Sequence, residues 1–257
     1  QTAHFYSMLA RFVLVLAPLC AVTAADETTT PTVDSAPNVN ISTILGACGT
    51  PMCMRRCTGK LAYGVKQMLS FDNTIEKMNA VCDAYNTTTS CLNDKPACPY
   101  RSVFDIVTSG LEYTCIKKRD SFERVQQCLA PVLDGIMREC DAKCSLRSTL
   151  SSISENPQVQ TVAKLGGNLI VMGAQVPPLC DAIRCSIPCL TTRANDACPL
   201  SGWFLLDSIL QPFDRAAALY DKAPPLVKQM VREKLTERCV PLFDSSKLEA
   251  MRKGEWN

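Results

Sequence analysis

The chemistry open to this sequence rests on cysteine, with 16 in 257 residues. Cys53/Cys57, Cys140/Cys144 and Cys185/Cys189 are each four residues apart. That spacing suits a zinc knuckle, which sets thiolates about two to four residues apart. It is equally the spacing of one helix face, where such pairs are poorly placed to bridge each other. They are well placed to reach two cysteines on a facing helix. Cysteine at this density belongs to an oxidising compartment, which favours disulfides over thiolate ligands. No Cys-x-x-Cys occurs, so dithiol redox catalysis is disfavoured. The disulfide candidates are Cys48, Cys53, Cys57, Cys82, Cys91, Cys98, Cys115, Cys128, Cys140, Cys144, Cys180, Cys185, Cys189, Cys198 and Cys239.

The only histidine, His4, precedes Met8, where a signal peptide is expected to begin. A mature chain without histidine has no Ser-His or Cys-His nucleophile and no histidine-bearing zinc site. No spacing of carboxylates marks an acid–base pair. The sequence therefore predicts neither enzyme, metal site nor cofactor.

The elements that carry these cysteines read as helices. Residues 1–25 are the expected targeting segment: a leader at 1–7, Arg11, an apolar run from Phe12 to Cys20, and cleavage after Val22-Thr23-Ala24, so that the mature chain starts near Ala25 or Asp26. The run is well short of the roughly 20 apolar residues that span a bilayer. Residues 26–43 are Thr/Pro-rich and predicted to be disordered, with a composition that suits O-glycosylation. Asn40-Ile-Ser and Asn86-Thr-Thr are N-glycosylation sequons in loop-like surroundings.

Ordered chain is expected from Ile44, as a first cysteine-rich helical domain at 44–150. A helical stretch from about Lys60 to Tyr85 should break near Ser70–Asn73, and a polar loop should carry Cys91 and Cys98. The stretch Cys98–Cys144 organises the rest, with five cysteines in three short helices. Asp120 and Glu123 read as a cap for the second of these, and Pro131 as the first residue of the third. In a second domain at 151–245, Asn156-Pro157 reads as a helix start. The uncharged segment Leu165–Cys180 reads as a buried helix, and residues 246–257 form a tail.

Cys180-x4-Cys185-x3-Cys189 repeats the spacing of Cys48, Cys53 and Cys57, and Ala197-Cys198-Pro199 echoes Ala97-Cys98-Pro99. Glu233, Cys239, Pro241 and Asp244 likewise echo Glu123, Cys128, Pro131 and Asp134. These shared signals predict a degenerate tandem repeat. Ten cysteines fall in the first unit and five in the second. The first unit is therefore expected to close on itself, with Cys53/Cys57 facing Cys140/Cys144. The second would leave one thiol, Cys239 or one of Cys185 and Cys189, without a partner. The apolar face Val227, Val231, Leu235, Cys239 favours a buried orphan over a covalent dimer. Strand signals are scarce, so the fold class is all-α, a disulfide-stapled helical bundle. The formal charge of +2 is nearly balanced and implies no polyanion partner, nucleic acid included.

Tyr113-x-Cys115, Arg119, Phe122, Cys128 and Cys140-Asp-x-x-Cys144, with the preceding Ser109-Gly110-Leu111-Glu112 and the Cys-x4-Cys-x3-Cys opening, resemble the nematode chondroitin proteoglycan 4 family of secreted cysteine-rich proteins. The resemblance implies an extracellular matrix or eggshell component, with chondroitin on Ser-Gly sites in the proteoglycan members. Here the only such pairs, Ser109-Gly110 and Ser201-Gly202, lie in apolar helical surroundings without an acidic cluster, so no glycosaminoglycan is expected. The leading expectation is a non-catalytic secreted glycoprotein that serves as a matrix or interaction module for an extracellular partner. The alternative is a carrier of lipid or a small apolar ligand, lined by Leu165–Val176 and Trp203–Leu210.

Overall fold

Asn40 begins the first helix by accepting a hydrogen bond from the Thr43 amide at 3.1 Å. A computed structural model describes residues 39–99, 101–168, 172–173, 175–226, 228–229 and 236–256. Among them are twelve α-helices and no strand. In order these are α1 (Ile41–Ala47), α2 (Met52–Met68), α3 (Thr74–Asn93), α4 (Arg101–Val107) and α5 (Ser109–Glu112). A π-helical turn, Tyr113–Lys117, leads to α6 (Arg119–Leu129), α7 (Leu133–Cys144), α8 (Leu146–Glu155) and α9 (Pro157–Lys164). Then come α10 (Val176–Ala197), α11 (Ser201–Asp221), a 3-10 turn at Val240–Phe243, and α12 (Ser245–Arg252).

The break near Ser70–Asn73 separates α2 from α3, as the sequence predicts. Phe71 and Asn73 adopt positive φ there, and Arg138 and Arg147 donate to the Phe71 and Leu69 carbonyls. Asp134 of α7 closes the start of α3, accepting from the Asn73 and Thr74 amides at 2.7 and 2.9 Å. Other boundaries differ from expectation. Helix α1 starts before Ile44, because Val39 and Ile41 are buried where α1 packs on α9. Helix α3 runs on through Cys91 to Asn93, so Asn86 lies on a helix and not in a loop. Thr87 hands its hydroxyl to the Asp83 carbonyl and Thr88 to the Cys57 carbonyl, which makes a threonine run tolerable in a helix.

Asp120 is not a cap: α6 follows directly from the π turn, and Glu123 instead pairs with Arg119 one turn back. Pro131 precedes its helix, because Val132 turns back onto the Leu129 carbonyl with φ −120. Asn156 and Pro157 do begin α9, with Asn156 Oδ1 accepting from the Gln158 and Val159 amides. Of the buried helix expected over Leu165–Cys180, Met172 and Gly173 are helical, with Met172 fully buried, and α10 begins at Val176. Leu165 is 81% exposed, and Gly166 and Gly167 take φ near +93°, outside any helix. Residues 169–171 and 174 of that stretch lie outside the described residues, as do residues 1–38 and residues 227 and 230–235 of the apolar face ending at Cys239.

Most of the core is one cluster, in which Leu45, Leu61, Val81, Phe104, Leu206 and Leu210 are almost wholly buried. Helix α2 packs on α3, α10 lies between α7 and α11, and α12 closes on α11 with Leu248 and Met251 inside. Two smaller clusters seat α10 on its neighbours. One joins Leu129 and Leu133 to Ala194 and Cys198; the other joins Ile136 and Cys140 to Leu190.

Candidate functional site

The cysteines four apart do reach across to other elements, to a facing helix in each case but that of Cys53, whose partner Cys98 lies in a loop. Helix α7 lies against α10, so Cys140 bonds Cys189 and Cys144 bonds Cys185, with Cα separations of 5.8 and 5.4 Å. On α2, Cys53 bonds Cys98 and Cys57 bonds Cys91 of α3. Cys82 bonds Cys115 in the π turn, Cys128 bonds Cys198, and Cys180 bonds Cys239. Cys48 is disulfide-bonded as well.

This pattern corrects the expected pairing in two ways. Cys53/Cys57 do not face Cys140/Cys144, because α2 packs on α3 while α7 packs on α10. The first unit does not close on itself either, since Cys128, Cys140 and Cys144 bond cysteines of the second. Cys185, Cys189 and Cys239, the expected orphans, are all bonded. Nor does the pairing follow the repeat. Cys53 bonds a residue downstream, whereas its counterpart Cys185 bonds one upstream. What the sequence concealed is helix packing: even and odd counts presume separate units, and α10 with the cysteine after it takes part in four bridges across the molecule.

Polar groups brace the same helices. Arg252 of α12 donates to both carboxylate oxygens of Asp214 and to Asp207, the latter at 3.0 Å. Tyr113 donates to Asp207 at 3.3 Å. Arg215 bonds Glu112 and the Asp105 carbonyl, tying α11 to α4 and α5. Glu112 also pairs with Lys117. Burial works against its charge, yet the bonds from Lys117 and Arg215 prevail and hold its carboxyl below the ordinary range. Every one of these charges faces a fixed partner, the mark of a structural network rather than of an acid–base pair.

The Ser-Gly pairs sit at helix crossings. Ser109 is 1% exposed and donates to the Ile106 carbonyl at 2.7 Å; Ser201 is fully buried and donates to the Ala194 carbonyl at 2.8 Å. Their glycines are demanded by packing. A Cβ on Gly202 would lie 1.9 Å from the Thr191 carbonyl oxygen, and one on Gly110 would lie 2.5 Å from that of Ser208. Neither hydroxyl is presented to a glycosyltransferase.

Both sequon asparagines are exposed. Asn40 caps α1 through its side-chain oxygen. Asn86 projects from α3 while Thr88, two residues on, is buried against α2.

Among the described residues no three metal-ligating side chains gather into a site, and no helix is long and apolar enough to cross a membrane. Clefts among the described residues are open ones. One of about 480 Å³ runs over Lys143, Pro188, Thr192 and Arg193, and another of about 250 Å³ lies between Asp181, Arg184 and Trp256. Trp203–Leu210, expected as one wall of an apolar cavity, is the first half of α11, with Leu206 and Leu210 packed into the core.

A profile of the chondroitin proteoglycan 4 family matches residues 42–244. Over 124 residues the chain is 26% identical to chondroitin proteoglycan 4 of Caenorhabditis briggsae and 25% identical to that of Caenorhabditis elegans. Those alignments take in 48% of this chain but only 18% and 16% of the relatives' own lengths. No solved structure matches. The profile runs from α1 through the 3-10 turn at Val240–Phe243 and takes in every cross-linked helix, and on that ground this chain belongs to the chondroitin proteoglycan 4 family.

Proposed function

We propose that this chain is a non-catalytic, secreted, cysteine-rich glycoprotein that serves as a matrix or eggshell-type interaction module and is not itself a carrier of chondroitin. The observation that carries the reading is the joining of helices by seven disulfides in a chain whose two Ser-Gly serines are both buried. Disulfides of this number persist in extracellular surroundings, and the family to which the chain belongs is named for a proteoglycan. The charges gathered around α11, Glu112, Arg215, Asp207, Asp214 and Arg252, are paired with one another. Asn40 and Asn86 are the glycan sites, and residues 1–25 are the signal peptide. The two repeat units, 44–150 and 151–245, are read as domains of common origin that now share their cross-links.

Expression from Met8 in animal cells tests this reading. Protein should accumulate in the medium with an amino terminus near Ala25 or Asp26. It should lose mass on N-glycan removal, and less mass in Asn40→Gln and Asn86→Gln variants. Retention inside the cell with Met8 intact would contradict it.

A further inference from the structure

The outer face of α2 is exposed and meets no other element among the described residues. From Val39 to Phe71 there is no Asp or Glu, while α2 carries Arg55, Arg56, Lys60 and Lys66. Arg56, Lys60 and Lys66 are exposed, and none of the three is in an ion pair among the described residues. Arg55 turns inward, with its Nε donating to the Thr50 carbonyl at 2.8 Å. Steps of four, three and three residues put Arg56, Lys60, Tyr63 and Lys66 along one side of the helix, a line of about 15 Å at 1.5 Å per residue. Tyr63 is 50% exposed between the cations, and Met52 is 62% exposed at the leading end. Several cations elsewhere are matched: Arg215 by Glu112, Arg252 by two aspartates, Arg147 by Asp141. Exposed lysines elsewhere, such as Lys118, Lys143 and Lys247, each have an Asp or Glu within two residues in the sequence, whereas this run has none.

We propose that this face of α2 binds a linear anionic polysaccharide, with Arg56, Lys60 and Lys66 pairing its carboxylate or sulfate groups and Tyr63 stacking on a sugar ring. The inference rests on the matrix-module reading and names the partner's chemistry. A row of cations with an aromatic ring among them matches a polymer that alternates charge with flat apolar ring faces. An anionic lipid surface fits less well. Docking on lipid requires an apolar face to bury, and the apolar side of α2, with Met54, Cys57 and Leu61, is already spent on the core.

Full-length secreted protein, freed of N-glycans, would be applied to immobilised chondroitin sulfate and eluted with salt. In parallel it would be mixed with vesicles containing phosphatidylserine. Wild type should be retained on the polysaccharide and not on vesicles. The triple variant Arg56→Gln, Lys60→Gln, Lys66→Gln should bind on the order of tenfold more weakly, as loss of three exposed pairs implies. Tyr63→Ala should weaken binding while leaving its salt dependence unchanged. The variant Lys118→Gln, Lys143→Gln, Lys247→Gln removes the same charge elsewhere and should bind as wild type does. All lie on the surface, and circular dichroism would verify their fold. Equal losses in both triples, no retention of wild type, or retention on vesicles alone would overturn the proposal. Those outcomes would leave secretion and glycosylation, measured separately, untouched.

Discussion

At the scale of single residues, the Ser-Gly pairs show how a motif of modification becomes a feature of packing. Gly202 meets the Thr191 carbonyl across a helix crossing that has no room for a methyl group. Gly202→Ala should therefore cost about 1–3 kcal/mol or more, as overpacking does. Ser201→Ala, which removes one buried donor, should cost about 1 kcal/mol. Urea unfolding of the two variants checks the order, and a Gly202→Ala variant as stable as wild type would contradict the crossing. Asp244 supplies a pH test. Its carboxylate caps α12, and bonds from the Ser246 hydroxyl first, then the Ser246 and Lys247 amides, outweigh burial and lower its pKa. A carboxyl depressed in the folded state stabilises at pH above its unfolded value near 3.9, and that gain is lost as pH falls through the folded value. Asp244→Ala should thus cost about 1 kcal/mol near neutral pH, and the difference in melting temperature from wild type should shrink below about pH 4.

At the scale of elements, the i, i+4 spacing of Cys140/Cys144 and Cys185/Cys189 was enough to place each pair on a helix and to require two facing thiols. It could not say which helix faced which, because that is settled by α10 seating between α7 and α11. The break between α2 and α3 and the start of α9 were legible for a similar reason: proline, asparagine and aspartate act locally, whatever the rest of the chain does. Pro131 and Asp120 misled because Val132 turns back onto the Leu129 carbonyl and the π turn leads straight into α6. The Ser-Gly pairs were legible from their apolar surroundings alone. The stripe on α2 was readable too, from a run without acids, but only the packing of Met54 and Leu61 inward shows that Arg56 and Lys60 point out. Removing the Cys140–Cys189 bridge by double serine substitution should cost about 2–4 kcal/mol, measured by denaturant unfolding. Asp134→Ala should cost about 0.5–2 kcal/mol, since α3 loses the carboxylate that closes its first turn. A null effect there would mean that α7 does not hold α3.

At the scale of the molecule, three bridges join the two sequence halves, and the ion pairs of Arg215 and Arg252 close α11 over the helices around it. What results is a cross-linked set of helices, with the cationic face of α2 outside and the Ser-Gly serines buried. In that account the chain recognises anionic glycan and does not carry it. Chondroitinase digestion of the secreted protein, after N-glycans have been removed, tests this most directly. The protein should run as a sharp band on a denaturing gel, with a mobility that the enzyme leaves unchanged. A broad, high-mass smear that collapses on digestion would contradict it, and a collapse abolished by Ser109→Ala or Ser201→Ala would locate the error in the burial of that serine.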